Sequence, residues 1–278
     1  MINDFLEMFS YSFMIKAFIV GLLISLCASL IGVSLVLRRN SMIGDGLSHV
    51  GFGAFAIATV LGIAPLEFAL PLVIISSFFI LKISDNSKIH GDSLIALMSA
   101  SSLAIGTFVV SLSGVNTDIN NYLFGSILSI SDAELVLSIV LSIVVVCLYI
   151  FSYNRIFAIT FDEKFAKSIG INTSFYNMIF AVLCSIVVVL GMRLVGALLI
   201  SSLIIFPTLS SMQIFKKFKK VVISSVIISI LCFVIGITFS FLNGTPTGAT
   251  IVIVNLIVFI ILIIVKKMYN RVSNKNNY

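Results

Sequence analysis

Apolar residues along this chain do not alternate with polar ones. They run in blocks of about twenty, separated by short polar breaks, at about 12–37, 42–62, 65–82, 93–113, 133–152, 175–193, 195–213, 220–241 and 248–265. A helix needs roughly 20 apolar residues to cross the hydrocarbon core of a bilayer. Continuously apolar blocks also exclude a membrane barrel, whose strands would alternate between lipid and lumen. The pattern predicts an all-α polytopic membrane protein, a bundle of about nine transmembrane helices forming one domain over residues 1–278. Eight is the alternative if one block is re-entrant.

Two breaks hold more than a turn. Asn120 to Leu128 is too short to span and too apolar to float free, which predicts a short helix against one face of the bundle. The loop at about 154–174 contains Thr160-Phe161-Asp162-Glu163-Lys164-Phe165-Ala166-Lys167-Ser168-Ile169-Gly170. Thr160 and Glu163 have capping-box spacing, and Gly170 suits the left-handed residue that closes a helix. Phe161, Phe165 and Ile169 recur every fourth residue, so the loop predicts a short amphipathic helix. Such a helix either lies in the lipid interface or offers an apolar knob to a soluble partner.

Composition agrees: 60% of the residues are hydrophobic and 10% charged, and the mean hydropathy is +1.22. The net charge of +6 does not point to nucleic acid, because Lys and Arg gather at the ends of apolar blocks. Arg38 and Arg39, Lys82 and Lys88, Arg155 to Lys167, Lys216 to Lys220 and the tail from Lys266 fall in alternate connections. Only an outside amino terminus and a cytoplasmic carboxyl terminus put every cluster inside. Tyr149, Tyr153 and Tyr269 fall where interfacial tyrosines are expected. The acidic start, Met1 to Glu7, is followed by no small-residue cleavage site, so no signal peptide is expected. Cys27, Cys147, Cys184 and Cys232 each stand alone in an apolar block and read as packing residues.

Candidate chemistry is concentrated in Arg38-Arg39-Asn40-Ser41, followed by Gly44-Asp45-Gly46-Leu47-Ser48-His49. On a helix, Asp45 and His49 are one turn apart on one face. Gly44, Gly46, Ser48, Gly51, Gly53 and Ala54 surround them, a density of small residues that lets neighbouring helices come close. The plain alternative is an ion pair that only locks helices together; an ionisable pair inside a membrane is by default a functional site. Ser48 and His49 point in different directions and make a poor proteolytic dyad. Neither a GxxxxGK[ST] phosphate-binding loop nor an HExxH motif occurs, and His90 reads as a solvated loop histidine.

Taken together, these motifs resemble the permease subunits of bacterial zinc and manganese ABC importers. The Arg38–His49 segment is similar to that family's R-R-x-S…G-D-x-L-S/A-H pattern. Tyr122-Leu123-Phe124-Gly125 is similar to its Y-L-F-G motif, Val195 to Leu199 with Pro207 to its V-G-A-L-L…P span, and Thr245-Pro246-Thr247-Gly248 to its late turn. Gly244 stands where an acidic residue is common, and Asp92 matches an acidic position whose role the resemblance does not assign.

The resemblance implies a homodimeric permease in the bacterial cytoplasmic membrane, with a separate ATP-binding subunit on the cytoplasmic face and a metal-binding protein docking outside. It implies no permanently bound cofactor and no catalytic residues. The transported Zn²⁺ or Mn²⁺ would meet Asp45 and His49, and Asp162, Glu163, Phe165, Ala166 and Gly170 would face the ATPase. Oxygen and nitrogen ligands suit Mn²⁺, Fe²⁺ and Zn²⁺ alike. Two other readings remain open at this level, a permease for a chelated metal and a proton-coupled secondary transporter using Asp45 and His49 as its relay.

Overall fold

The computed structural model describes residues 8–86, 91–113, 125, 130–197 and 200–275. Among them are ten helices and no strand: α1 Ser12–Leu37, α2 Met42–Leu61, α3 Pro65–Asn86, α4 Gly91–Ser113, α5 Asp132–Phe161, α6 Glu163–Ser168, α7 Thr173–Val195, α8 Ile200–Ile214, α9 Phe218–Asn243 and α10 Thr247–Lys275. Seven are long and apolar enough to cross a membrane, judged by length and composition, and Pro65–Ile80 and Ile200–Ile214 are shorter apolar helices. The expected helix within 120–128 and His90 lie outside the described residues.

The helices begin and end where local chemistry requires. α2 stops at Gly62 because that residue takes a left-handed backbone, φ 68°, which an L side chain disfavours. α5 starts at a capping box that the sequence reading passed over. The Ser131 hydroxyl accepts from the Glu134 amide, and the Glu134 carboxylate accepts from the Ser131 amide.

α5 also runs nine residues past the expected end at 152, through Phe161. Tyr149 therefore lies three turns inside the helix, and at 1% exposed it is in the core, so it is not an interfacial tyrosine. Tyr269 does remain exposed.

α2 lies at the centre, packed against α3, α4, α7 and α8. Its small residues make this possible. A β-carbon on Gly46 would come within 2.4 Å of Ile95 on α4, one on Gly51 within 2.5 Å of the Met192 sulfur on α7, and one on Gly53 within 2.7 Å of the Ser102 carbonyl oxygen. The expectation that small residues admit close neighbours holds toward both α4 and α7. α1 packs against α8, α9 and α5, and α7 joins the two groups by touching α1, α3 and α5.

Helices in lipid gain little from the hydrophobic effect between one another, so packing and buried polar contacts hold them. Ser229 donates to the Ser25 carbonyl at 2.9 Å, tying α9 to α1. Ser185 donates to the Val73 carbonyl at 3.4 Å, tying α7 to α3. At one end of the bundle Lys16 pairs with Asp132 at 2.6 Å and Arg193 with Glu134 at 2.8 Å. These pairs bring together the start of α1, the start of α5 and the end of α7.

Candidate functional site

Asp45 lies in the first turn of α2, with Ser41 at the N-cap, and His49 follows one turn later. The Asp45 Oδ2 to His49 Nε2 distance is 3.8 Å, and the two side chains are 35% and 14% exposed. The other carboxylate oxygen, Oδ1, accepts from Ser201 Oγ on α8 at 3.2 Å. His49 Nδ1 is buried and has no hydrogen-bond partner among the described residues. Ser48 is buried and donates to the Asp45 carbonyl at 2.7 Å, so it serves its own helix and does not assist His49.

Asp45 and His49 open onto a groove of about 350 Å³ between α2 and α4, whose wall includes Met42, Asp92, Ile95 and Ser99. The structure thus brings Asp92, in the first turn of α4, to the same groove as the pair. Among the described residues, no group of three or more His, Cys, Asp or Glu side chains converges on one point. One chain therefore offers two close ligand atoms on α2, with a further carboxylate along the groove.

The second candidate region is the α5–α6 corner. Thr160 is not the N-cap expected from its spacing, because α5 continues through it. Asp162 takes that place in an extended conformation, and its carboxylate accepts from the Phe165 amide at 2.9 Å. Ala166 is fully buried and packs with Ile159 and Ile171, pinning the helix to the bundle. Gly170 closes the segment with φ 85°. Phe161, Phe165 and Ile169 are 61%, 59% and 57% exposed, so the apolar stripe faces away from the protein. Phe161 belongs to the end of α5 rather than to α6, and it packs on Phe157 and Phe218.

Asn177, which sequence spacing did not single out, and Arg38, which opens the Arg38–His49 segment, complete this corner. Asn177, on α7, donates to Glu163 Oε1 at 2.8 Å. The same side chain accepts from Arg38 Nη1 at 2.9 Å. Arg38 also donates from Nε to Thr160 Oγ1 at 3.3 Å, and its guanidinium stacks over Phe180 at 4.9 Å. Burial pulls the Arg38 pKa below its ordinary value, and the Glu163 carboxylate works against that pull. No periodicity could reveal these contacts, which join positions 122 and 139 residues apart in the chain.

Comparison with known proteins adds the following. A model of the ABC 3 transport family matches residues 10–266. The chain is 27% identical over 262 residues to the manganese import system permease protein ScaB of Streptococcus gordonii, covering 94% of each. It is 27% identical over 258 residues to the manganese transport system membrane protein MntC of Listeria monocytogenes, covering 92% of each. Among solved structures, a chain of PsaBC from Streptococcus pneumoniae in complex with Fab matches with a TM-score of 0.85 at 26% identity, covering 94% of this chain and 95% of that one.

Proposed function

This chain belongs to the ABC 3 transport family, and from that premise we propose that it is the permease subunit of an importer moving divalent metal ions, of the manganese and zinc class, across the cytoplasmic membrane. ATP is hydrolysed on a separate subunit. The observation that carries the reading is the Asp45–His49 pair on a small-residue helix at the centre of the bundle, open to a groove.

A divalent ion sheds its water reluctantly, so a path through hydrocarbon must supply oxygen and nitrogen in its place. Bonds of roughly 2.0–2.2 Å to imidazole nitrogen and carboxylate oxygen let one ion bridge atoms up to about 4 Å apart. The 3.8 Å between Asp45 Oδ2 and His49 Nε2 falls within that span. Ser201 occupies the other oxygen of Asp45 and fixes the carboxylate, leaving Oδ2 for the ion. Two ligands from one helix hold a passing ion without trapping it, and Asp92 adds negative charge along the groove.

All of residues 1–278 form one permease domain with nine spans, an outside amino terminus and a cytoplasmic carboxyl terminus. The seven long helices and two shorter apolar ones support that count, and the basic connections support the direction. Two copies assemble so that the partner's α2–α4 groove completes the path. Open exposure of α4 along Leu97, Ile105, Phe108 and Leu112 supports this face as the place where they meet. Asp162, Glu163, Phe165 and Gly170 form the exposed part of the coupling helix and its caps, which seats in the ATPase, whereas Ala166, expected to face the ATPase, is buried against the bundle and holds the helix in place; a metal-binding protein docks at the opposite end.

The test is reconstitution. The chain, co-expressed with an ATPase subunit and placed in proteoliposomes, should accumulate radiolabelled Mn²⁺ or Zn²⁺ only with ATP on the ATPase side and the metal-loaded binding protein on the other. Accumulation driven by a proton gradient without ATP would overturn the reading.

A further inference from the structure

The coupling helix and the metal-bearing helix share no extensive contact, yet three side chains join their supports without a gap. Glu163 on α6 accepts from Asn177 Nδ2 at 2.8 Å. Asn177 Oδ1 accepts from Arg38 Nη1 at 2.9 Å. Arg38 is the first residue after α1, and only 38–41 separate α1 from α2, whose first turn carries Asp45. The backbone of that connection is closely determined: Arg39 holds φ 60°, and the Asn40 amide donates back to the Leu35 carbonyl at 2.9 Å.

Two further features suit transmission rather than a fixed rivet. The buried Arg38 Nη2 has no hydrogen-bond partner among the described residues. Beside it lies a void of about 20 Å³ lined by Arg38, Asn177, Phe180 and Cys184. The guanidinium therefore has a spare donor beside a small void, and is not packed tight on every side. α2 in turn is gripped by close approaches to α4 at Gly46 and Gly53 and to α7 at Gly51, so a push at its first turn moves the helix as a body.

We propose that Asn177 is a positioning residue that carries movement of the coupling helix to the Asp45–His49 helix, receiving it from Glu163 and passing it to Arg38. The inference rests on the permease reading above. Asn177 suits this role because its amide is a donor at one end and an acceptor at the other, matching a carboxylate and a guanidinium in turn.

That polarity supplies the test, with metal moved per ATP hydrolysed as its readout in proteoliposomes holding the permease and ATPase. Asn177→Asp keeps the acceptor for Arg38 but sets two carboxylates against each other at Glu163. The ratio should fall about tenfold, the order expected for loss of a hydrogen bond to a charged group. Adding Glu163→Gln supplies a donor amide facing the new carboxylate, reverses the polarity of that bond, and should restore the ratio.

A ratio unchanged in Asn177→Asp, or lowered and not restored in the double variant, overturns the proposal. So does a parallel loss of hydrolysis and transport, which a merely structural clamp would give. If Asn177→Asp does not assemble, Glu163→Ala, at an exposed position, serves instead. With the ATPase still co-purifying, a lower ratio supports the proposal and an unchanged ratio overturns it. Failure of the unmodified complex to transport metal would count against the permease reading, whereas a working complex with indifferent variants counts against the relay alone.

Discussion

Asp45 Oδ2 stands 3.8 Å from His49 Nε2, beyond the reach of a hydrogen bond, while Asp45 Oδ1 is held by Ser201 at 3.2 Å. An ion pair kept only for its own attraction would close that gap. Here the closed contact is to α8, and the open one faces a groove. The carboxylate is positioned by one oxygen and left available by the other. This division of labour is common where a carboxylate must meet an ion in a fixed orientation.

The packing of α2 gives the first prediction. A methyl group at Gly53 would meet the backbone carbonyl of Ser102 at 2.7 Å, and backbone cannot swing aside as a side chain can. Gly53→Ala should therefore destabilise the detergent-solubilised protein by about 1–3 kcal/mol, the usual cost of overpacking. Gly62→Ala makes the comparison, since it meets nothing within 4 Å and strains only its own φ of 68°. That strain costs about 1–2 kcal/mol, at the lower end of the range for the backbone clash. Thermal unfolding of the two should show the larger loss at Gly53; equal stabilities would mean that α4 gives way.

A second prediction concerns the exposed stripe. Phe165 is 59% exposed and packs little against its own chain. Phe165→Asp should leave the melting temperature within the small change expected at a surface position, about 0.5 kcal/mol. It should nonetheless abolish co-purification of the ATPase. If the ATPase remains bound in full and transport persists, the stripe anchors the corner in the lipid interface instead.

Orientation gives a third. Ile63, in the α2–α3 turn, and Lys164, on α6, are both exposed, and they fall on opposite sides of the bilayer in the nine-span arrangement. With Cys27, Cys147, Cys184 and Cys232 replaced by serine, Ile63→Cys should react with an impermeant maleimide in intact cells. Lys164→Cys should react only after the membrane is opened. Reaction of both from the same side would remove that arrangement.

Much of the fold was legible because lipid imposes few solutions. The apolar blocks located α1 and α2 almost to the residue, at Ser12–Leu37 and Met42–Leu61, since an uninterrupted apolar run in a bilayer can only be helical. Where a helix left the hydrocarbon, that signal ended before the helix did. Past residue 152, α5 continues through Arg155 to Phe161, held by packing on α9 and by Arg38, none of which a hydropathy pattern contains. The same limit shifted the cap from Thr160 to Asp162. Spacing was enough to set Asp45 beside His49 because one helix carries both. Ser201, Asn177 and the placement of Asp92 depend on which helices pack together, and no local period encodes that.

The last prediction separates the two meanings of the central pair. As a structural lock, removing one member strands the other as an unpaired polar group, at a cost of roughly 3–5 kcal/mol. Asp45→Asn and His49→Gln would then be lost from the membrane. As ligands for a passing ion, both substitutions leave shape and hydrogen-bonding capacity nearly intact. The 3.8 Å separation means that little direct attraction is forfeited. The double variant should accumulate to normal levels, melt at the normal temperature and bind its ATPase, yet take up radiolabelled Mn²⁺ or Zn²⁺ at background rates. Ser201→Ala, which frees Oδ1 without touching either ligand, should weaken metal affinity by about 10–100-fold, as loss of an orienting partner does. Near-normal uptake by a well-assembled Asp45→Asn, His49→Gln protein would show that the ion takes another route.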